Sequence, residues 1–354
     1  MNEPCIEINK RKISSNHYPY VIAELSANHN GSIEIAKKII EEAKKANADA
    51  VKLQTYTADT ITLNSDKEDF QIHGGLWDGK TLYDLYQEAH MPWDWHETLF
   101  KHAKEIGITI FSSPFDQTAV DLLEDLNAPA YKIASFEAID LPLIEYVAQT
   151  GKPMIISTGM ADVDEIFEAI EAARKAGCNQ LAILHCVSGY PAPAEDYNLK
   201  TITEMKTKFN LVTGLSDHTL DNNTAIASVA LGASIIEKHF TLDRTGGGPD
   251  DSFSLEPSEL ANLCNGTKVA WSALGDVNFE RKNSEKANVQ FRRSLYFIED
   301  LKAGDIISDN SVKSVRPGFG IPPKHLKKII GQKVISDVLK NTPVQNNILE
   351  KPIT

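Results

Sequence analysis

The feature that most constrains this chain is a repeated rhythm. From Tyr18 onward, apolar runs of five to seven residues alternate with polar loops and longer segments of helical spacing. The runs are 20–25 (YVIAEL), 50–54 (AVKLQ), 108–112 (ITIFS), 130–134 (AYKIA), 154–158 (MIIST), 181–186 (LAILHC), 211–215 (LVTGL) and 233–239 (ASIIEKH), eight in all. Helical patterns lie between them at 33–46, 95–105, 118–126, 163–176 and 222–231, and small-residue stops such as Gly107, Gly151 and Gly232 precede the next run. Strands alternating with helices demand a parallel sheet with right-handed crossovers, and eight units in roughly 250 residues fit a closed (β/α)8 TIM barrel. An open doubly wound sheet needs a glycine-rich first turn, and the first turn here is Asn28-His29-Asn30-Gly31.

At 354 residues, 42% of them hydrophobic, the chain has material for one large domain and one small one. A formal net charge of −13 argues against nucleic-acid binding while leaving room for a local cationic pocket. No apolar run reaches the roughly 18 residues of a membrane span, and residues 1–10 lack a signal pattern, so a cytoplasmic protein with no membrane partner is expected. The four cysteines, Cys5, Cys178, Cys186 and Cys264, are scattered and form no Cys-x-x-Cys pair, so no disulfide framework or thiolate zinc site is expected; Cys186 reads as a small buried hydrophobe.

One connection breaks the rhythm. The stretch 55–92 carries Gly74-Gly-Leu-Trp-Asp-Gly79 and is too long for a barrel loop, which marks it as a lid or substrate wall. After a helical segment at 258–274, residues 276–290 turn polar and read as a linker. Residues 291–354 then change texture, with glycine turns and little helix. The expected division is therefore a catalytic barrel over 1–275, a linker over 276–290 and a small β-rich domain over 291–354.

In a barrel, chemistry sits at the C-terminal ends of the strands. Those ends carry Glu24, Lys52, Ser113, Lys132, Ser135, Glu137, Ser188, Tyr190, Ser216, His218, Glu237 and His239. Lys52 and Lys132, with the hydroxyls of Ser113, Ser135 and Ser216, have the chemistry of a side-chain phosphate site, since ammonium supplies charge and hydroxyl supplies direction. Glu24 and Glu137 are candidates for proton transfer or for binding substrate hydroxyls. The two histidines are 239 − 218 = 21 positions apart, one strand plus one helix, which aims them at one rim. A single strand-end histidine is more often a hydrogen-bonded structural residue. A pair on one rim makes a divalent metal the alternative, Mn²⁺ ahead of Mg²⁺ or Co²⁺ for imidazole, carboxylate and water ligands. His185 alternates away from the rim and is a poor third ligand.

Together, Ile22-Ala-Glu-Leu-Ser-Ala-Asn-His-Asn30, Val51-Lys-Leu-Gln54, Phe111-Ser-Ser-Pro-Phe115, Tyr131-Lys-Ile-Ala-Ser-Phe-Glu137, Ile156-Ser-Thr-Gly-Met160, Ser188-Gly-Tyr-Pro191, Gly214-Leu-Ser-Asp-His218 and Glu237-Lys-His-Phe240 resemble the sialic acid synthase family. The likeness covers nearly the whole chain. Within the family, Glu24-Leu-Ser-Ala, Gly74-Gly-Leu-Trp-Asp-Gly79 and Gly247-Gly-Pro-Asp-Asp-Ser-Phe-Ser-Leu-Glu-Pro257 are similar to the pseudaminic acid branch, ahead of the N-acetylneuraminate and legionaminate branches.

The resemblance implies a TIM barrel followed by an antifreeze-like (SAF) domain, and a phosphoenolpyruvate-dependent transferase of nonulosonic acid biosynthesis that feeds cell-surface glycans and flagellin glycosylation. It implies His218 and His239 as metal ligands, and Lys52, Ser113, Lys132, Ser135 and Ser216 around phosphoenolpyruvate. It places Glu24, Glu137, Tyr190 and Asp250 at the amino-sugar or reacting centre, and Arg316, with Phe291, as a cap from the partner in a domain-swapped homodimer. Ser188 stands where the family often has Asn, and Ser113 where Thr is common. Which glutamate acts as base stays open, as do a non-catalytic sugar-binding barrel and an aldolase using Lys52 or Lys132 as a Schiff base.

Overall fold

The computed structural model describes residues 3–353. By contact density they divide into two units, one ending at Gly275 and one beginning at Asp276.

The first unit opens with a short antiparallel hairpin, β1 (Ile6–Ile8) and β2 (Arg11–Ile13). The eight apolar runs then form a closed, all-parallel barrel: β3 (Tyr20–Glu24), β4 (Ala50–Thr55), β5 (Thr109–Pro114), β6 (Tyr131–Ile133), β7 (Met154–Ser157), β8 (Leu181–Cys186), β9 (Val212–Asp217) and β10 (Ile235–His239), with β10 pairing β3 to close the ring. The (β/α)8 expectation holds. The hairpin was not read from the sequence, because strands of three residues carry too little alternation to register.

The helices are α1 (Ile33–Lys45), α2 (Ala58–Ile61), α3 (Leu82–Ala89), α4 (Trp95–Ile106), α5 (Gln117–Asp125), α6 (Leu141–Ala148), α7 (Val163–Lys175), α8 (Lys200–Phe209), α9 (Asn223–Ala230) and α10 (Pro257–Leu274); all but α2 and α3, which belong to the long insertion, pack outside the ring. Their ends follow local chemistry. Ser32, Asp116 and Asp162 accept backbone N–H bonds at the N-termini of α1, α5 and α7, and at α7 Glu165 reciprocally accepts from the Asp162 N–H. The helix α4 stops at Gly107, whose φ of 73° is a left-handed conformation that costs glycine little.

Alternation along the strands sorts residues into two cores. Outward positions such as Val51, Leu53, Ile110 and Ile236 join the helix layer. Inward positions Tyr20, Ile22, Ala50, Phe111, Ala130, Ile155, Ala182, Leu184, Val212 and Ile235 fill the lower barrel, where Ile6, Ile8 and Ile13 of the hairpin seal the bottom. Each fully buried isoleucine there contributes about 1.5–3 kcal/mol of transfer free energy. Gly214 belongs to this inner layer: a Cβ there would collide with the Ile235 carbonyl and Leu184.

In the second unit a 3₁₀ turn spans Asn283–Phe291, across the end of the stretch expected as linker. It continues with the antiparallel pair β11 (Ser294–Phe297) and β12 (Val312–Val315), a short helix α11 (Leu326–Ile329) and isolated bridges such as Leu301 to Val338. Leu295, Phe297, Ile307, Val312, Val334 and Val344 form its own small core.

Candidate active site

The same two-residue period that fills the lower barrel with hydrocarbon sets polar groups one layer higher on the inner face. Two positions beyond Ile22 stands Glu24, beyond Ala50 Lys52, beyond Phe111 Ser113, beyond Ala130 Lys132, beyond Leu184 Cys186 and beyond Ile235 Glu237. Pairing aligns these ends. Glu24 lies opposite Lys52 and His239, and Ser216 lies opposite Glu237 and Cys186.

Two buried ammoniums and two buried carboxylates meet there. Lys52 Nζ is 2.6 Å from Glu24 Oε2 and 3.6 Å from Glu237 Oε1, and it donates to Ser113 Oγ at 3.1 Å. Lys132 Nζ is 3.8 Å from the same Glu237 oxygen. All four side chains are at most 7% exposed. Desolvation opposes every charge, and the balance differs from group to group. For Glu237 the pull of Lys132 and Lys52 outweighs burial and lowers its carboxyl below the usual range. For Glu24 burial and the repulsion of Glu237 win over Lys52 and push its carboxyl up. Lys132 is lowered by burial, whereas for Lys52 the two glutamates outweigh burial and raise it.

From Glu24 a polar chain runs across the rim. Gln54 Nε2 donates to Glu24 Oε1 at 2.9 Å and to Ser26 Oγ at 3.1 Å. The Ser26 hydroxyl donates to Asp250, whose Oδ2 is 3.9 Å from His239 Nδ1. Burial pushes the Asp250 carboxyl up.

The two histidines come together, with ring centroids 5.4 Å apart, and Tyr190 packs on both at 4.4 and 6.1 Å. Phe253 lies 5.0 Å from the His239 ring. His218 Nδ1–H donates to the Val187 carbonyl at 2.8 Å, which commits that nitrogen and leaves Nε2 for another role. Burial opposes charging His218, but Cys186 and the Val187 carbonyl outweigh it and raise its pKa. Burial, with the charges of His218, Lys52, Lys238 and Lys132, holds His239 well below the ordinary range, so it is a neutral imidazole, and its Nδ1 is buried without a hydrogen-bond partner. Neutral, underused imidazole nitrogen is the ligand form for a divalent ion. No group of three His, Cys, Asp or Glu side chains that could hold a metal ion occurs among the described residues, so His218 and His239 are the two side-chain ligands this rim offers. His185 donates to the Tyr197 carbonyl and lies outside this arrangement.

One position behind each histidine, on the outward face, sits a second ion pair. Lys238 Nζ donates to Asp217 Oδ2 at 2.9 Å and to the carbonyls of Thr219 and Asp221 at 2.7 and 2.8 Å, which ties the loop bearing His218 to the strand bearing His239.

Beside the polar cluster lies a cavity of about 390 Å³ lined by Ser26, Gln54, Glu137, Ser188, Tyr190, His239 and Asp250 from the barrel rim, and by Ile61, Ile72, Trp77, Leu82, Leu85 and Tyr86 from the long insertion. Glu137 Oε2 is buried without a partner, and burial lifts its carboxyl to about 7. Ser135 Oγ accepts from the Gly159 N–H at 3.2 Å, and the Ser188 hydroxyl is buried and unpartnered. A Cβ on Gly159 would collide with both hydroxyls, so the absence of a side chain there keeps this corner open. The insertion folds as α2, a small hairpin joined by the Gln71–Thr81 bridge, and α3. Trp77 at the hairpin tip donates its Nε1–H to the Pro249 carbonyl at 3.1 Å, so the stretches 74–79 and 247–257 meet over the cavity.

The structure thus places Glu24, Lys52, Ser113, Lys132, Ser135, Glu137, Ser188, Tyr190, Ser216, His218, His239 and Asp250 in the upper barrel. Phe291 and Arg316 belong to the second unit, where the Gly318 N–H donates to the Gln290 carbonyl and brings their segments side by side. Glu237 stands among the strand-end groups with no role read for it from the sequence, and Gln54 and Ser26 carried none either. The available signal was strand parity: Glu237 shares an inward face with His239, and Gln54 with Lys52.

Against known proteins, the NeuB family model matches residues 39–279 and the SAF domain model matches residues 292–350. Pseudaminic acid synthase of Campylobacter jejuni is 47% identical over 319 residues, covering 90% of this chain and 93% of that protein. Pseudaminic acid synthase of Helicobacter pylori is 42% identical, covering 95% of this chain and 99% of that protein. The crystal structure of the N-acetylneuraminic acid synthetase of Leptospira borgpetersenii superposes with a TM-score of 0.73 at 32% identity, over 81% of this chain and 95% of that one. With a family match over well more than half its length, a barrel and a SAF domain in the matching places, this chain belongs to the NeuB family.

Proposed function

We propose that this chain is a transferase that condenses phosphoenolpyruvate with the open-chain aldehyde of 2,4-diacetamido-2,4,6-trideoxy-L-altropyranose, releasing phosphate and a nine-carbon 2-keto acid, the reaction of a pseudaminic acid synthase. The observation that carries the reading is the joining of Lys52, Lys132, Glu24 and Glu237 to paired imidazoles beside one sugar-sized cavity. The likeness to two pseudaminic acid synthases selects the acceptor.

Lys52 and Lys132, with Ser113, Ser135 and Ser216, hold the phosphate and carboxylate of phosphoenolpyruvate. His218 and His239 would hold a divalent metal, Mn²⁺ ahead of Mg²⁺ or Co²⁺, which when bound would supply Lewis-acid polarisation of the aldehyde. C3 of phosphoenolpyruvate attacks the aldehyde carbon, whose oxygen becomes a hydroxyl, and C2 is left electron-poor. The carboxylates of Glu24 and Glu237 stabilise that positive charge. Water then adds to C2, giving one proton to a carboxylate, and the tetrahedral carbon loses its hydroxyl proton as it expels phosphate by C–O cleavage, so one of the water's protons ends on the former aldehyde oxygen and the other leaves with phosphate. Glu24 is already engaged by Lys52 and Gln54, whereas Glu137 has a free oxygen, so Glu137 is the base. Tyr190 and Asp250 contact the sugar. Phe291 and Arg316 of a second copy cap the site in a homodimer.

Phosphate release measured with each amino-sugar tests the reading. Turnover is expected with the diacetamido-trideoxy sugar, and His218→Ala or His239→Ala should abolish it. Faster turnover with N-acetylmannosamine or the legionaminate precursor would move the chain to another branch, and full activity of either histidine variant in metal-depleted buffer would remove the metal.

A further inference from the structure

Strand β9 ends at Asp217, and His218 is the first residue beyond it. The pairing of β10 with β9 reaches Asp217 and that of β8 with β9 reaches only Ser216, so neither neighbouring strand holds the histidine backbone. The residue is nevertheless buried, and a buried backbone N–H or carbonyl needs a partner. The segment that follows β8 supplies all of them. The Val187 carbonyl accepts from the ring Nδ1–H at 2.8 Å, the Ala192 N–H donates to the His218 carbonyl at 3.1 Å, and the Tyr197 hydroxyl accepts from the His218 N–H at 2.6 Å.

Tyr197 closes a single 3₁₀ turn, Ala194–Tyr197, whose other three residues are exposed, yet it is itself fully buried. Both of its ends are tied. The hydroxyl reaches His218, and the carbonyl accepts from the Nε2–H of His185 on β8, whose ring meets the phenol edge-on with centroids 6.3 Å apart. The ring bond to Val187 fixes the rotation of the His218 imidazole, and the backbone bonds fix where it stands.

Groups one step behind a metal ligand govern how well it presents its nitrogen. Resting on the metal role proposed above for His218 and His239, we infer that Tyr197 is a positioning residue for His218, that His185 acts through it, and that together they set the affinity of the imidazole pair for a divalent ion.

The test is binding of Mn²⁺ alone to the metal-stripped full-length protein, followed by the loss of the free-ion signal in electron paramagnetic resonance. Tyr197→Phe keeps the ring and deletes the acceptor, and it should weaken Mn²⁺ binding by roughly ten- to a hundredfold. His185→Ala, which frees the Tyr197 carbonyl, should shift the affinity the same way, and His185→Gln, which can still donate to it, should hold it near the parent value. Tyr131→Phe deletes another buried tyrosine hydroxyl of the barrel, one that donates to Glu124, and should leave the affinity unchanged. Parent-like binding by both Tyr197→Phe and His185→Ala overturns the inference, as does an equal loss in Tyr131→Phe, which would mean that the barrel has merely softened. A parent protein that binds no Mn²⁺, or a His218→Ala variant that binds it as the parent does, overturns the proposed metal role and takes this inference with it. Binding that is lost in His218→Ala but untouched in Tyr197→Phe and His185→Ala sinks the inference alone.

Discussion

Glu237 lies between two buried ammoniums, and its replacement by glutamine is the sharpest test of the electrostatics. At 3.6 Å from Lys52 and 3.8 Å from Lys132, the carboxylate gains about 4–5 kcal/mol of Coulomb attraction from each at an effective dielectric of about 20. Lys52 keeps Glu24 at 2.6 Å in Glu237→Gln, but Lys132 loses its carboxylate. Removing one member of a buried pair costs about 3–5 kcal/mol. Lys132 limits the damage by shedding its proton, for which burial already prepares it, so a net loss near 3 kcal/mol is expected. All four tryptophans lie before residue 276, so their fluorescence reports unfolding of the barrel unit. In urea the midpoint should fall by about 1 M for a slope near 3 kcal/mol/M. Saturating phosphoenolpyruvate should recover part of the loss by supplying the missing negative charge. A loss below about 1 kcal/mol would refute the view that this carboxylate holds both lysines charged.

Three further outcomes follow from the structure. Burial raises Glu137 from 4.5 to about 7, so it is protonated below and ionised above that pH; kcat/KM for the acceptor should rise through about 7, and Glu137→Gln should remove that limb, which a surviving limb would contradict. The same raised value makes this carboxyl favour the fold at low pH, a contribution lost as pH climbs through about 7. Asp217→Asn leaves buried Lys238 without its carboxylate 2.9 Å away; at about 3–5 kcal/mol the melting temperature should drop by roughly 6–15 °C, and calorimetry showing less than about 2 °C would dismiss the clasp. Ile8→Ala empties part of the barrel floor and should cost about 2–5 kcal/mol in urea unfolding while leaving kcat unchanged; a fall in kcat would mean that the hairpin does more than seal the bottom.

The barrel was legible because each inner strand spends its lower positions on hydrocarbon and its upper ones on polar groups, a contrast visible in runs as short as AVKLQ. Glu24, Lys52, Lys132, His218 and His239 could be read as rim residues because parity and strand-end position are local properties. Glu237 and Gln54 sit in the same words, yet their roles depend on what lies across the ring, which no local pattern states. The β1–β2 hairpin escaped for a related reason: Ile6, Ile8 and Ile13 make sense only as a floor for a barrel already closed.

By itself, then, the sequence determined the strand and helix rhythm, the closed barrel, the second unit and the identity of the polar residues on the rim, because side-chain period and turn chemistry act over a few residues. Tertiary structure decided the rest. Register set Lys238 against Asp217 and joined the strands that carry the two histidines, and closure of the ring brought Lys132 to Glu237. The fold of the insertion turned a run of apolar residues between 61 and 86 into one wall of the cavity. The surroundings then divided the carboxylates: two lysines lower Glu237 against its burial, while burial raises Glu137, whose buried oxygen has no partner. A desolvated charge depends on every neighbour within a few ångströms, and those neighbours come from strands far apart in the sequence.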